Sequence, residues 1–265
     1  MTFRPSLFLA MLAVAGLCSV SSNAEPQLRS SKAAAAYLEP NLHAGQRLGN
    51  VFSRALSYKA DGFDELVFRA SGTGAYTVTG SSPADVIFDS SFRYDGRPES
   101  RGKTEIKDGG RTVCWKDNCS PETDASGPLY NPLIWGEPNG KLRPGMSWSV
   151  SIAKPWELGP AGQETVTVVE LDRATHSVTL KREGQGDGYF DNDIKKLRVT
   201  KAGKTYSVDV APGHAHWTGY TRFREGVVMS DELLVERTVT LKSAELGEIP
   251  AHQREYILLN ASPNA

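Results

Sequence analysis

Several features that would fix a function at once are missing from this sequence of 265 residues. It contains no Gly-x-Ser-x-Gly elbow, so a hydrolase of that type has no visible nucleophile. Charge of one sign does not dominate, because 30 Lys and Arg stand against 31 Asp and Glu. That balance implies neither a nucleic-acid binder nor a polybasic membrane protein. Cysteine is scarce, with three in the whole chain. No apolar run approaches the roughly 20 residues a membrane-crossing helix needs. Helical periodicity is nearly absent after residue 60, which leaves period-2 alternation as the main pattern.

The beginning of the chain carries an export signal. Arg4 is the one charged side chain before an apolar run from Leu7 to Leu17, and small residues end the stretch at Ser22-Asn23-Ala24. A short basic start, an apolar core and small side chains at −3 and −1 make a secretory signal peptide. Cleavage is expected after Ala24. Cys18 follows Leu17 where a lipid-attachment signal wants a small residue, so free export to the periplasm or outside is the expectation. Without Arg4 the mature chain would carry a net charge of −2. It would hold two cysteines, Cys114 and Cys119, and no transmembrane segment. In an oxidising compartment two thiols this close are expected to form a disulfide. A redox pair is the alternative, but catalytic dithiols usually have two intervening residues and a helix N-terminus.

The expected class is mainly β: a large antiparallel meander, as a curved sheet, half-barrel or sandwich, with a short helical N-terminal segment. The chain divides by pattern into a signal peptide (1–24), a helical segment (25–60) and a β-meander carrying the Cys114–Cys119 loop (61–120). A Pro-punctuated connection (121–140), an antiparallel β half (141–260) and a tail (261–265) follow. Helices are expected at Ser30–Leu38, before Pro40, and at Gly45–Leu56. Leu66–Ala70 and Ala75–Thr79 read as a hairpin around Ser71–Gly74. Asp85–Asp95 alternates, with Val86, Phe88, Phe92 and Tyr94 on one face. Four apolar residues, Tyr130, Leu133, Ile134 and Trp135, are expected to pack the connection. In the second half, strands are expected at Ser147–Ile152, Glu164–Leu171, Ser177–Arg182, Ile194–Thr200 and Thr205–Val210. A hairpin of Ala215–Phe223 and Val227–Leu241 follows, and Arg254–Leu259 is expected to close the sheet. Val166 and Val168 against Val169 and Leu171 put apolar side chains on both faces of one strand, as a cavity or a sandwich core requires.

A three-residue turn at Arg224-Glu225-Gly226 would pair Phe223 with Val227, and the rest of that hairpin follows by counting outward. His214, His216 and Tyr220 then share the face opposite Trp217, with His214 across from Glu236. Two imidazoles at i and i+2 plus a carboxylate are a zinc ligand set with an open position, able to activate water. The plainer reading is a pair of surface histidines with an acidic partner. Asp187, Asp191 and Asp193 can supply oxygen ligands to calcium, but Asp and Gly also make any turn. Ser151-Ile152-Ala153-Lys154 matches Ser-x-x-Lys but runs into Pro155 without a helix. Trp156, in a loop bounded by Pro and Gly, is either packed as a lid or offered to a ligand or partner, and Tyr220 is the other candidate contact.

Gly145-Met146-Ser147-Trp148-Ser149-Val150, opening the long meander, and the hairpin from His216-Trp217-Thr218-Gly219-Tyr220-Thr221 to Val235 resemble exported half-barrel proteins of the periplasmic lipoprotein-carrier type. The resemblance implies a curved sheet around a hydrophobic cavity and assigns no functional residue. The leading expectation is an exported, non-enzymatic envelope protein that binds a lipid-like small molecule or an envelope protein, with no cofactor. A metal-dependent hydrolase using His214, His216 and Glu236 with zinc is one alternative. A periplasmic inhibitor or immunity-type interaction protein is the other.

Overall fold

From Arg47 onward the chain alternates apolar and polar side chains, and in the computed structural model these runs pair into one sheet. The structure describes residues 37–82, 85–110, 112–116, 118–121, 127–191 and 193–262. The signal segment, and all but the end of the expected Ala-rich helix, lie outside the described residues. The strands are β1 (Arg47–Lys59), β2 (Leu66–Ser81), β3 (Val86–Tyr94), β4 (Ser100–Lys107), β5 (Thr112–Trp115), β6 (Asn118–Pro121) and β7 (Ser147–Ile152). They continue as β8 (Gly162–Asp172), β9 (Ser177–Asp187), β10 (Lys196–Lys201), β11 (Lys204–Arg224), β12 (Val227–Ser243) and β13 (Gly247–Ala261). A short helix, α1 (Pro132–Trp135), sits in the connection between β6 and β7.

All thirteen strands form one antiparallel sheet in the order β6-β5-β4-β3-β2-β1-β13-β12-β11-β9-β8-β7, with β10 pairing β11 to one side. The mainly-β expectation holds, and the form is a single unclosed sheet. Arg254–Leu259 was expected at its closing edge. Instead β13 lies between β12 and β1 and stitches the two halves of the chain together, leaving β6 and β7 as the edges.

Three local expectations are corrected, each for a physical reason. The segment 45–56 is strand rather than helix: Leu48, Asn50, Phe52, Arg54 and Leu56 alternate onto one face through pairing with β2 and β13. Ser71–Gly74 is no turn but the middle of the 16-residue β2. Its glycines serve close approach. A Cβ on Gly72 would lie 2.7 Å from the Phe52 ring, and one on Gly74 2.6 Å from Asn50 Oδ1. Thr205–Val210 and Ala215–Phe223 are one 21-residue strand, β11, with a bulge between Pro212 and Ala215 absorbing the proline.

The β11–β12 turn is also tighter than expected. Glu225 (φ 49°) and Gly226 (φ 73°) alone make it, with Arg224 paired to Val227, as a two-residue turn with both φ positive prefers. The tighter turn moves the register by one residue and a bulge at Arg222/Phe223 by one more, so Trp217 faces Val235 and His216, not His214, faces Glu236. Beyond the bulge the total shift of two keeps side chains on their expected faces, whereas before it Val228, not Val227, faces Phe223. The apolar pattern on both faces of β8 has a similar origin. A bulge between Val168 and Glu170 puts Val169 outside, 47% exposed, and brings Leu171 back inside.

The sheet curls around its inner face, where three apolar clusters lie. The curl brings distant strands together: Asp64 N donates to Thr200 O at 2.9 Å, and Arg54 of β1 meets Glu157 of the β7–β8 loop. The connection before β7 packs inside as expected, with Ile134 and Trp135 buried, although Leu133 stays 38% exposed. Asn131 caps α1, its Oδ1 accepting from Leu133 N at 2.9 Å. Leu129 packs beside Ile106, while Trp148 Nε1 donates to Trp135 O, so this connection reaches from β4 to β7. Outside, β7 and β8 present Ser147, Ser149, Ser151, Thr165 and Thr167, and β9 presents Lys181 and Glu183. A lipid-facing barrel surface would be apolar at such positions, so this face suits water. Cys114 and Cys119 face each other across the β5–β6 hairpin and form the expected disulfide.

Candidate ligand-binding face

The inner face differs between its two halves. Under β7–β13 it is filled by the chain's own side chains, many of them polar. Trp217, Gly184 and Glu164 occupy one row across β11, β9 and β8. Gly184 has no side chain, so the indole lies across it and Nε1 donates to Glu164 Oε2 at 2.7 Å. Arg182 donates from Nε to Glu164 Oε1 at 3.2 Å and from Nη2 to Oε2 at 2.9 Å. Both charged side chains are fully buried. The guanidinium also lies over two rings, 5.3 Å from the Trp135 centroid and 5.0 Å from that of Trp156. Buried ions at this depth survive because each carries close partners.

Two further networks complete this half. Trp135 Nε1 donates to Thr221 Oγ1 at 3.0 Å, and Thr221 donates to Asp231 Oδ1 at 2.6 Å. Burial pushes the Asp231 carboxyl up to about 6, against the lowering effects of Arg182 and of the Thr221 hydrogen bond. Arg237 donates to both oxygens of Asp193, at 2.8 and 2.5 Å, and to Gln253 Oε1, with Phe190 stacked 4.0 Å from its guanidinium. Burial likewise raises the Glu255 carboxyl, opposed by its partner Arg54.

The inner face of β1–β5 is built differently. By register it carries Phe52 and Arg54 from β1, Gly72, Gly74 and Tyr76 from β2, and Phe88, Phe92 and Tyr94 from β3. Gly102 of β4 and Trp115 of β5 continue it. Two cations border it: Arg54, and Lys116, whose Nζ lies 5.8 Å from the Trp115 ring centroid. The rings run along this face in two groups. Phe52 meets Tyr94 at 5.3 Å, Tyr76 meets Phe88 at 5.6 Å and Phe92 at 5.5 Å, and Phe92 meets Trp115 at 5.3 Å, all edge-to-face. Glycines let the rings lie close to the sheet: a Cβ on Gly102 would come 2.8 Å from the Trp115 ring, as Gly72 accommodates Phe52. Phe52, Phe92 and Trp115 are half-buried and Tyr94 is 44% exposed, whereas the opposite half of the inner face is closed.

The residues singled out in the sequence fall elsewhere. His214 and His216 are on the outer face with ring centroids 4.5 Å apart. His214 Nδ1 is hydrogen-bonded to Asp187 Oδ1 at 3.0 Å, and Glu236 faces Arg254 Nε at 3.6 Å. Among the described residues no group of three or more His, Cys, Asp or Glu side chains is disposed to hold a metal ion. Of the three aspartates considered for calcium, Asp187 pairs with His214 and Asp193 is buried against Arg237. Trp156 takes the packed alternative, fully buried beside Trp217 at 5.9 Å. Tyr220 is 46% exposed on the outer face. The strip itself went unread as a site. The shared face of Phe88, Phe92 and Tyr94 was legible, but Phe52 was hidden by the helical reading of its segment and Trp115 by its place beside the disulfide.

No protein family and no curated protein matches this chain. Among solved structures, one of lipovitellin, described as showing lipid–protein interactions, is similar over 85% of this chain at 9% identity and TM-score 0.40. This chain spans about a quarter of that one, covering 26% of its length. Ail, the attachment invasion locus protein of Yersinia pestis, is similar over 83% of this chain and 100% of its own, at 10% identity and TM-score 0.22. Likeness at this level carries no argument about ligand or activity, which rest on the residues above.

Proposed function

We propose that this is an exported envelope protein that binds a lipid-like apolar ligand along the inner face of β1–β5, without catalysing a reaction. The observation that carries this reading is the strip from Phe52 to Trp115. Phe52 and Trp115 lie against glycines and, with Phe92 and Tyr94, keep accessible surface on a face that the rest of the sheet fills. A run of rings flanked by Arg54 and Lys116 suits a hydrocarbon chain or a planar apolar molecule. Each methylene laid against it contributes about 0.8 kcal/mol before the cost of ordering the ligand. The polar outer face supports a water-facing protein, and the disulfide is compatible with an oxidising compartment. Binding of N-phenyl-1-naphthylamine, followed by its fluorescence, tests the reading. Phe52→Ala and Trp115→Ala are each expected to weaken binding roughly tenfold, about 1.4 kcal/mol. Equal binding by the wild type and both variants would reject the strip as the site.

A further inference from the structure

A second concavity lies away from the aromatic strip, where the loop entering β7 meets the β8–β9 turn. It encloses about 500 Å³ and is lined by Asn139, Lys141, Leu142, Arg143, Met146 and Arg173. Three of these six are cations, and no carboxylate is among them. All three are exposed, while Leu142 is buried and Met146 half-buried, giving an apolar floor under a basic rim.

The arrangement is unlike the treatment of many other exposed cations in this sheet. Lys204 is paired with Glu245 and Lys242 with Glu248, each at 2.8 Å. Among the described residues no ion pair or hydrogen bond engages the side chains of Lys141, Arg143 or Arg173. Nor does a basic composition explain it, because the chain carries a net charge of −1. Like charges gathered on one concavity repel one another unless a counter-anion joins them. A guanidinium offers a planar fork of donors that fits phosphate oxygens in pairs, and a lysine adds a mobile point charge. Two arginines and a lysine suit a group with nearly two negative charges, as a phosphate monoester has at neutral pH, better than a single carboxylate.

We propose that this concavity is an anion site for a phosphate group, independent of the aromatic strip. The group can belong to a soluble phosphate or to a lipid headgroup whose apolar part rests on Leu142 and Met146. The test uses the mature protein and the triple variant Lys141→Gln, Arg143→Gln, Arg173→Gln, with an unchanged thermal midpoint checking that the variant folds. Calorimetric titration with inorganic phosphate is compared with sedimentation against phosphatidylcholine vesicles with and without phosphatidic acid, whose headgroup is a phosphate monoester. The wild type is expected to bind at least one phosphate probe at low salt, with affinity falling at least tenfold in the triple variant. Uptake of free phosphate alone would identify a soluble ligand. Selective sedimentation with the phosphatidic acid vesicles would identify a headgroup. Absence of binding to both probes, or equal binding by the triple variant, would overturn the proposal.

Discussion

Glu164 illustrates how single residues decide the interior of this sheet. Its carboxylate accepts from Arg182 and Trp217, and the second contact exists because Gly184 leaves the row between them empty. Gly184→Ala would put a Cβ 2.2 Å from the indole. The ring must then shift, and the expected loss is about 2 kcal/mol or more, measured by urea denaturation. Glu164→Ala should cost about 3–5 kcal/mol, since it strands a buried guanidinium, whereas replacing Glu164 and Arg182 together with Leu and Met should cost less. Asp231 acts in the opposite sense. Its folded pKa of about 6 lies above the unfolded value of 3.8, so the folded state holds the proton more tightly. Ionisation therefore weakens the fold as pH rises from about 4 through 6, by about 3 kcal/mol at neutral pH. Asp231→Asn should remove that slope, becoming more stable than wild type at pH 7.5 relative to pH 4.5. An unchanged pH profile would show that Asp231 does not titrate as its burial implies.

At the scale of elements, alternation was the readable signal and glycine the misleading one. Every segment from Ser147 onward that alternated is a strand, because one face is buried and the other wet. Gly72 and Gly74 suggested a turn, yet they make room for Phe52 and Asn50. Sequence pattern cannot tell a glycine that turns the chain from one that lets a ring lie against it. Bulges were equally invisible: one, with the tighter turn, puts His216 rather than His214 opposite Glu236, and another points Leu171 inward. The Cys114–Cys119 disulfide was legible, since two close cysteines leave few arrangements, but β6, expected as loop, was not. The disulfide closes a short loop, and replacing both cysteines with Ser should lower stability by about 2 kcal/mol. A folded mature protein should show no free thiol. One reactive thiol per molecule would mean that Cys18 is retained.

Across the whole molecule, the sheet divides its inner face between two tasks. Under β7–β13 the loops and side chains of the chain itself fill the space, with Trp135, Trp156 and Arg182 stacked together. Under β1–β5 aromatic rings keep accessible surface. β13 holds both halves in one sheet, so the filled half is a rigid support for the accessible one. The division was not legible in the sequence because it depends on which distant strands the curl brings together, and Arg54 meeting Glu157 is an example. Native mass spectrometry of the mature protein, purified from an exporting host without detergent, tests the central claim most directly. The predicted result is a population heavier by the mass of one lipid-like molecule, released on denaturation and lost in the Phe52→Ala, Trp115→Ala double variant. A clean ligand-free mass for the wild type, still unchanged after incubation with a lipid extract of the same host, would contradict it.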